Sequence, residues 1–157
     1  MEKKYDIAVV TGTRAEYGLL RPVLQKMQIS DSLKPILVVT GAHLSDATGN
    51  TVREIEQDGM PIAAKIEILK FAALGETPLA TAKTVAYTID TFTTYFTQHR
   101  PDAVLVLGDR YEIFAVGTAA ALLEIPLFHI SGGDVTYGAA DDYFRHCLTK
   151  METQTVR

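Results

Sequence analysis

The first loop that could perform chemistry is TGTRAEYG at residues 11–18, where small residues precede a helical pattern. Backbone N–H groups and the positive end of the dipole at such a helix N-terminus bind anions. Arg14 adds a guanidinium that can hold a phosphate through two hydrogen bonds. The same residues also suit a tight strand-to-helix turn with a solvated arginine, and spacing alone favours neither interpretation.

This loop differs from the common nucleotide-binding motifs. Arg14 and Tyr17 stand where the dinucleotide fingerprint has its second and third glycines. The chain also lacks the Gly-Lys-Ser/Thr sequence of a P-loop. Both differences argue against classical NAD binding and against P-loop hydrolysis.

Acidic residues gather in the later loops. Asp109 follows an apolar strand pattern, Asp134 follows HISGG at residues 129–133, and Asp141 and Asp142 open another helical stretch. A carboxylate held near a substrate carbon can remove its proton if neighbouring groups tune its pKa. Two structural explanations stay open: Asp109 as a helix cap, and the Asp141–Asp142 pair as an acidic first turn that complements the helix dipole.

His43 lies in a polar, glycine-rich loop that follows the second apolar run. It is a candidate for ligand contact, although a surface histidine is the commoner explanation. The histidines and Cys147 do not form a known ligand spacing such as paired Cys-x-x-Cys or His-Glu-x-x-His. We therefore predict no structural metal.

Composition limits the class of protein. A length of 157 residues with 47% hydrophobic content predicts one domain with a single core. A net charge of −4 without a Lys/Arg-rich run argues against nucleic acid or an anionic membrane as partner. The opening MEKKYDIAVV is too short to span a bilayer, and the lone thiol of Cys147 suits a reducing compartment. We expect a cytoplasmic location.

Short apolar, β-branched runs alternate along the chain with stretches of helical periodicity. This alternation predicts a doubly wound, Rossmann-like α/β fold, in which helices cover both faces of a parallel sheet. The predicted strands are residues 5–10, 35–40, 64–69, 103–107 and 125–130. The predicted helices are residues 18–28, 48–57, 78–98, 112–123 and 139–151. Thr77 is predicted to cap the third helix, with Pro78 in its first turn. We expect strand order 3-2-1-4-5 and ligands beyond the carboxyl ends of the strands.

Taken together, the motifs at residues 11–18, 49–51, 107–114 and 132–133, with Asp141-Asp142 and Arg145-His146, resemble one family. It is the hydrolysing UDP-N-acetylglucosamine (UDP-GlcNAc) 2-epimerases of sialic acid biosynthesis, and the resemblance runs from about residue 5 to residue 151. It implies the N-terminal half of a GT-B fold, without a cofactor. Such enzymes convert UDP-GlcNAc and water to N-acetylmannosamine and UDP. A proton leaves C2 as UDP departs, and water then adds to a glycal-like intermediate.

The resemblance also implies roles for individual residues. Arg14 would hold the diphosphate, and Asp109 with the Asp141–Asp142 pair would line the sugar site and support acid/base steps. The expected catalytic residues are Asp109, Asp134, Asp141 and Asp142. The expected substrate-binding residues are Arg14, Glu16, His43, Arg110, Glu112, Ser131 and Arg145, with Glu112 and Arg145 in supporting positions.

Two features depart from the family pattern. Several relatives carry an acidic residue or a histidine where Ser131 stands, so either Asp134 supplies a carboxylate here or that acid/base position is weakened. The match is also expected to end near Met151, which leaves residues 152–157 as a divergent tail, whereas the family continues into another strand, a linker and a nucleotide-binding domain. We therefore expect residues 1–157 alone not to turn over UDP-GlcNAc.

The expected partners are UDP-GlcNAc or UDP, bound weakly, a second copy of the chain, and a separate chain that carries the C-terminal domain. The dimer is expected because family members associate through this domain and because the helix at 78–98 presents Tyr87, Thr91 and Tyr95 on a second face.

Two other classes of function remain. One is a non-catalytic nucleotide-sugar or protein-binding module that keeps the fold without turnover. The other is a flavodoxin-like or receiver-type signalling domain. It is disfavoured because the first loop offers Arg14 and Glu16 instead of the acidic cluster that holds magnesium in a receiver.

Overall fold

A computed structural model describes residues 3–133 and 141–156. Its centre is a parallel sheet of six strands in the order β3-β2-β1-β4-β5-β6. The strands are β1 (Tyr5–Thr11), β2 (Leu33–Thr40), β3 (Ile62–Ile66), β4 (Ala103–Leu107), β5 (Leu127–Ile130) and β6 (Gln154–Val156). The helices are α1 (Arg14–Gln28), α2 (Val52–Gln57), α3 (Pro78–Gln98), α4 (Tyr111–Leu122) and α5 (Asp142–Met151). The predicted fold class and the order of the first five strands are confirmed.

The two faces of the sheet bury different side chains. Ala8, Val38 and Val104 belong to a core cluster that α3, α4 and α5 cover. Val9 and Leu37 belong to the other cluster, under α1 and α2. Because successive side chains of a strand point to opposite faces, a sheet covered on both sides needs continuous apolar runs, and these runs were the main sequence signal.

Several boundaries differ from the prediction. Helix α1 begins at Arg14 instead of residue 18, because Thr13 and Glu16 form a reciprocal capping box at its start. The second helix was predicted from residue 48, but Thr48 closes a 3-10 turn, Asp46–Thr48, and α2 begins only at Val52. Another 3-10 turn, Gly41–Leu44, precedes it directly after β2. Strand β3 ends at Ile66 and not at residue 69.

The sixth strand was not predicted, and the expectation that no further strand follows residue 151 was wrong. Gln154 pairs in parallel with Phe128, and Val156 with Ile130. Three residues give no measurable alternation of polar and apolar side chains. This strand forms because β5 offers it an unpaired edge, and that is a property of the assembled sheet.

Helix α3 begins as predicted. Thr77 accepts a hydrogen bond from the Ala80 N–H at 3.2 Å, and Pro78 occupies the first turn. Tyr87 and Tyr95, expected at a dimer interface, are half-buried within the chain: Tyr87 meets the edge of Phe71, and Tyr95 stacks on His99. Among the described residues, no helix has the length and hydropathy needed to cross a membrane.

Candidate functional site

The backbone of the loop between β1 and α1 is hydrogen-bonded to the carboxylate of Glu16, which lies in the first turn of α1. The backbone N–H groups of Gly12 and Thr13 donate to Glu16 Oε2 at 2.6 and 3.2 Å, and the Glu16 N–H donates to Thr13 Oγ1. Anion binding by N–H groups of this loop was one of the two interpretations that the sequence left open. Two of these groups already donate to a carboxylate oxygen of the chain.

Glu16 is itself almost completely buried, with 5% of its surface exposed. Its second oxygen, Oε1, has no hydrogen-bond partner in the described part of the chain. Burial and, to a smaller extent, the nearby Glu112 carboxylate raise the pKa of the Glu16 carboxyl, while the hydrogen bonds from Gly12 and Thr13 and the charge of Arg110 lower it. The net result is a pKa of about 7. The Glu16 carboxyl therefore titrates much closer to neutral pH than an exposed glutamate does.

Arg14 lies at the outer side of the same loop. Its side chain is 72% exposed, and its Nε donates to Glu54 Oε2 of α2 at 2.9 Å. An exposed ion pair of this kind contributes at most about 1 kcal/mol. Arg14 can therefore leave Glu54 for a ligand at little cost.

His43 is buried, with 1% of its surface exposed. Its Nε2 lies 3.0 Å from Thr11 Oγ1, and its Nδ1 lies 2.8 Å from Thr51 Oγ1. Burial lowers the pKa of the imidazole to about 4, so the ring is neutral. Both ring nitrogens thus bond to protein hydroxyls and connect three segments of the chain, and a direct contact of His43 with a ligand stays a prediction.

The loop after β4 faces the first loop because β1 and β4 are neighbours in the sheet. Arg110 donates to both carboxylate oxygens of Glu112 at 3.1 and 3.0 Å, and Glu112 is buried. Both residues act electrostatically on Glu16 across the gap between the loops. Glu16, Arg110 and Glu112, all predicted at the site, therefore form one charged group at the carboxyl edge of the sheet.

A second group joins the β4 loop to α5. Arg145 of α5 donates to Asp109 Oδ2, and both side chains are mostly buried. One turn earlier on α5, Asp142 Oδ2 lies 3.2 Å from His146 Nε2. Asp109 and Arg145 are 36 residues apart in the sequence and meet only in the fold. The N-cap residue of α4 is Arg110, not Asp109.

The remaining predicted residues lie around these groups. Ser131 adopts a left-handed backbone conformation with φ of 66° directly after β5. Asp141 precedes α5 and lines a groove with Pro78 and Tyr111. Asp134 lies outside the described residues. Within the described ranges, no hydrogen bond or ion pair joins Arg14 to the group around Asp109.

One residue near the site had no role in the sequence analysis. His129 of β5 is completely buried, and its Nε2 lies 2.6 Å from the carbonyl oxygen of Gly108, the residue before Asp109. The available signal was a polar residue inside an apolar strand, but only the fold reveals its contact.

Comparison with known proteins identifies the family. A family model described as UDP-N-acetylglucosamine 2-epimerase matches residues 25–155, so the match continues past Met151, where the resemblance was expected to end. The polysialic acid biosynthesis protein P7 of Escherichia coli is 41% identical over 145 residues, which cover 92% of this chain and 36% of that protein. The GDP/UDP-N,N'-diacetylbacillosamine 2-epimerase (hydrolyzing) of Campylobacter jejuni is 38% identical over 148 residues, which cover 94% of this chain and 38% of that protein. The chain thus spans little more than a third of the length of these relatives.

Solved structures agree on the fold. The UDP-GlcNAc 2-epimerase of Neisseria meningitidis, whose crystal structure holds UDP-GlcNAc, superposes with a TM-score of 0.79 at 22% identity over 94% of this chain and 39% of that one. Another UDP-N-acetylglucosamine 2-epimerase superposes with a TM-score of 0.84 at 20% identity, over 98% of this chain and 41% of that one. From the family match and the sequence relatives, the chain belongs to the UDP-N-acetylglucosamine 2-epimerase family.

Proposed function

We propose that this chain forms the sugar-processing domain of a hydrolysing 2-epimerase that acts on a UDP-linked 2-acetamido sugar. The reaction is conversion of UDP-GlcNAc and water to N-acetylmannosamine and UDP. Family membership supports the substrate class, and the name of the C. jejuni relative includes the hydrolysing activity. The observation that carries the proposal for this chain is the Asp109–Arg145 pair at the carboxyl edge of the sheet.

In the proposed reaction a carboxylate removes the proton from C2 of the sugar. The electron pair of that C–H bond forms a C1=C2 double bond while the C1–O bond breaks, and UDP leaves with the electrons of that bond. Water then adds to C1, and a proton returns to C2 from the opposite face, which inverts that carbon. The reaction needs an acid and a base on opposite sides of the ring.

Asp109 is the proposed base of this site. Arg145 holds one of its oxygens, which limits rotation of the carboxylate and leaves the other oxygen for the sugar. Asp134, Asp141 and Asp142 are the proposed source of the returning proton, and the last two lie at the start of α5. Ser131 is proposed to contact the sugar.

Arg14 is the proposed contact for the diphosphate. Its exposed ion pair with Glu54 is weak and can exchange for a phosphate, which is a stronger bidentate partner. Arg110 is the second cation near this loop, and it stays attached to the buried Glu112. His43 is proposed to stabilise the conformation of this loop through its contact with Thr11.

A binding module without turnover is the second candidate function. It would bind a nucleotide sugar or a protein while keeping the fold. Glu16 already accepts from two N–H groups of the first loop, so under either candidate these two groups are not free for a phosphate. The two candidates make the same prediction for nucleotide binding and opposite predictions for the release of UDP.

The test is a chimera in which this chain replaces the matching segment of the C. jejuni relative, assayed with UDP-GlcNAc and with UDP-N,N'-diacetylbacillosamine. Release of UDP and of the free 2-epimeric sugar is expected with at least one of them. Asp109→Asn should lower kcat by about 100-fold or more, the usual range for loss of a general base. Asp31→Asn, the same change at an exposed position between α1 and β2, should leave the rate unchanged. Equal rates for the two variants would remove Asp109 from the mechanism, and binding without UDP release would favour the second candidate.

We also propose that the chain forms a homodimer through α3. The exposed Leu79 and Ala82 and the half-buried Val85 leave apolar surface on this helix, and the half-buried Tyr87 and Tyr95 add aromatic surface on another face. Light scattering of the purified chain at high micromolar concentration should give twice the mass of one chain. A monomer under those conditions refutes the dimer.

A further inference from the structure

His129 and Glu152 form a buried pair next to the proposed site. His129 Nδ1 lies 3.4 Å from Glu152 Oε2, and the two side chains are 0% and 6% exposed. Neither atom has a hydrogen-bond partner in the described part of the chain. Uncompensated buried polar atoms are costly, so their arrangement needs an explanation.

The other ring nitrogen determines the chemistry of the pair. His129 Nε2 lies 2.6 Å from the carbonyl oxygen of Gly108, and a carbonyl only accepts, so Nε2 carries a proton and donates it. In a neutral ring, Nδ1 is then an acceptor, and it faces a carboxylate oxygen that also only accepts. Two acceptors at this distance repel each other. One additional proton between Nδ1 and Oε2 removes the repulsion and satisfies both atoms.

The backbone holds Glu152 firmly in this position. The Glu152 N–H donates to Leu148 O at 2.8 Å at the end of α5, and the next residue, Thr153, donates to Leu127 O at 2.7 Å. The Leu127 N–H returns a hydrogen bond to Thr153 Oγ1 at 3.1 Å. The backbone that carries the Glu152 side chain is therefore hydrogen-bonded to the end of α5 and, through Thr153, to the start of β5, the strand that contains His129.

The ring contacts the turn that orients Asp109. Gly108 has φ of 93°, so this turn uses a backbone conformation that residues other than glycine rarely adopt. Its N–H donates to Ile130 O at 3.4 Å, and its carbonyl accepts from the His129 ring. Two neighbouring residues of β5 thus hold both polar groups of Gly108.

We propose that His129 and Glu152 share one proton and act together as positioning residues for the Gly108–Asp109 turn. The proton keeps Nδ1 bonded to the carboxyl group, which fixes the ring plane, and the ring then holds the carbonyl that precedes Asp109. The pair lies on β5 and the α5–β6 connection, so it links the last part of the chain to the proposed base. The proton-sharing part stands without the proposed function, whereas its effect on catalysis rests on it.

The first experiment locates the proton in the 157-residue chain labelled with ¹⁵N and ¹³C. At neutral pH, the ring nitrogens of His129 and the side-chain carboxyl of Glu152 should together show one proton in addition to that on Nε2. Glu152→Gln should move the His129 ring signals, and Glu124→Gln, the same change at an exposed residue before β5, should not. An unprotonated Nδ1 beside an ionised Glu152 carboxylate overturns the proposal.

The second experiment tests positioning with two replacements of the ring. The amide nitrogen of Gln matches the reach of Nε2, whereas that of Asn is one bond shorter. The backbone amide signal of Asp109 should therefore shift in His129→Asn and return towards wild type in His129→Gln. In the chimera, His129→Asn should lower kcat about tenfold with little change in KM, and His129→Gln should recover part of the loss. If both replacements shift the Asp109 signal equally, the ring has no specific positioning role. If the Asp109 signal responds as expected but kcat does not change, the positioning role stands and the proposed function is wrong.

Discussion

Replacement of Glu16 by Gln tests the buried carboxyl at the start of α1. Glutamine keeps a carbonyl oxygen that can accept from the Gly12 and Thr13 N–H groups, so the capping arrangement survives. It cannot ionise. Glu16→Gln therefore removes the titration of this site and little else.

The magnitude follows from the shift of the Glu16 pKa, from 4.5 to about 7. Each unit corresponds to 1.36 kcal/mol, which makes about 3 kcal/mol in total. Because the folded-state pKa is raised, the stability linked to this proton is fully present below pH 4.5 and is lost as the pH rises through 7. The wild-type chain thus loses about 3 kcal/mol from this group between about pH 4 and pH 8, and the variant does not.

The assay is urea unfolding of both proteins at several pH values across that window. The free energy of unfolding of Glu16→Gln minus that of the wild type should increase by about 3 kcal/mol from the acidic to the alkaline end. Other titrating groups cancel in the difference. Glu124→Gln, at an exposed position, should show a constant difference. A constant difference for Glu16→Gln as well would mean that burial does not shift this carboxyl, and the electrostatic account of the loop would be wrong.

Three further substitutions, one of them with a control, test a buried titrating group, a close backbone contact and the packing of α4. Burial lowers the pKa of His43 from 6.5 to about 4. The stability that depends on its neutral form is therefore present above pH 6.5 and is lost as the pH falls through 4. His43→Gln should remove up to about 3 kcal/mol of this acid dependence of the free energy of unfolding, measured in the same urea series. Gly41→Ala places a Cβ 2.9 Å from the carbonyl oxygen of Gly12 at a φ of 59°, and it should lower the free energy of unfolding by about 2 kcal/mol. Gly59→Ala, at a similar φ in open space, should cost only the backbone strain of about 1 kcal/mol, and equal losses would refute the close contact. Gly117→Ala, in α4, should lower the midpoint of thermal unfolding, because the new methyl group collides with the buried side chain of Leu148. This loss should exceed the gain from the better helix propensity of alanine. A higher midpoint would show that the core adjusts to the methyl group.

The sequence determined the elements whose signals are local. Continuous apolar runs predicted β1, β2 and β4, since a strand buried on both faces must be apolar at every position. Thr77 and Pro78 predicted the start of α3 from the chemistry of a helix N-terminus alone. The motifs after β1, β4 and β5 also indicated the family without any coordinates.

Only the tertiary structure decided how the polar residues of those motifs are used. Glu16 and His43 were candidates for ligand contact, and only the fold shows that Glu16 is buried against its own loop and His43 between Thr11 and Thr51. Asp109 meets Arg145 across 36 residues, an encounter that no local pattern contains.

The same limit explains the missed strand β6 and the missed role of His129. A three-residue strand is stabilised by its partner β5 and not by its own pattern. His129 acquires its role from Gly108 and Glu152, which reach it from separate segments of the chain. Propensity and periodicity are set by neighbours in the sequence. Burial, pKa and hydrogen-bond partners are set by neighbours in space, and these determined the chemistry available at the site.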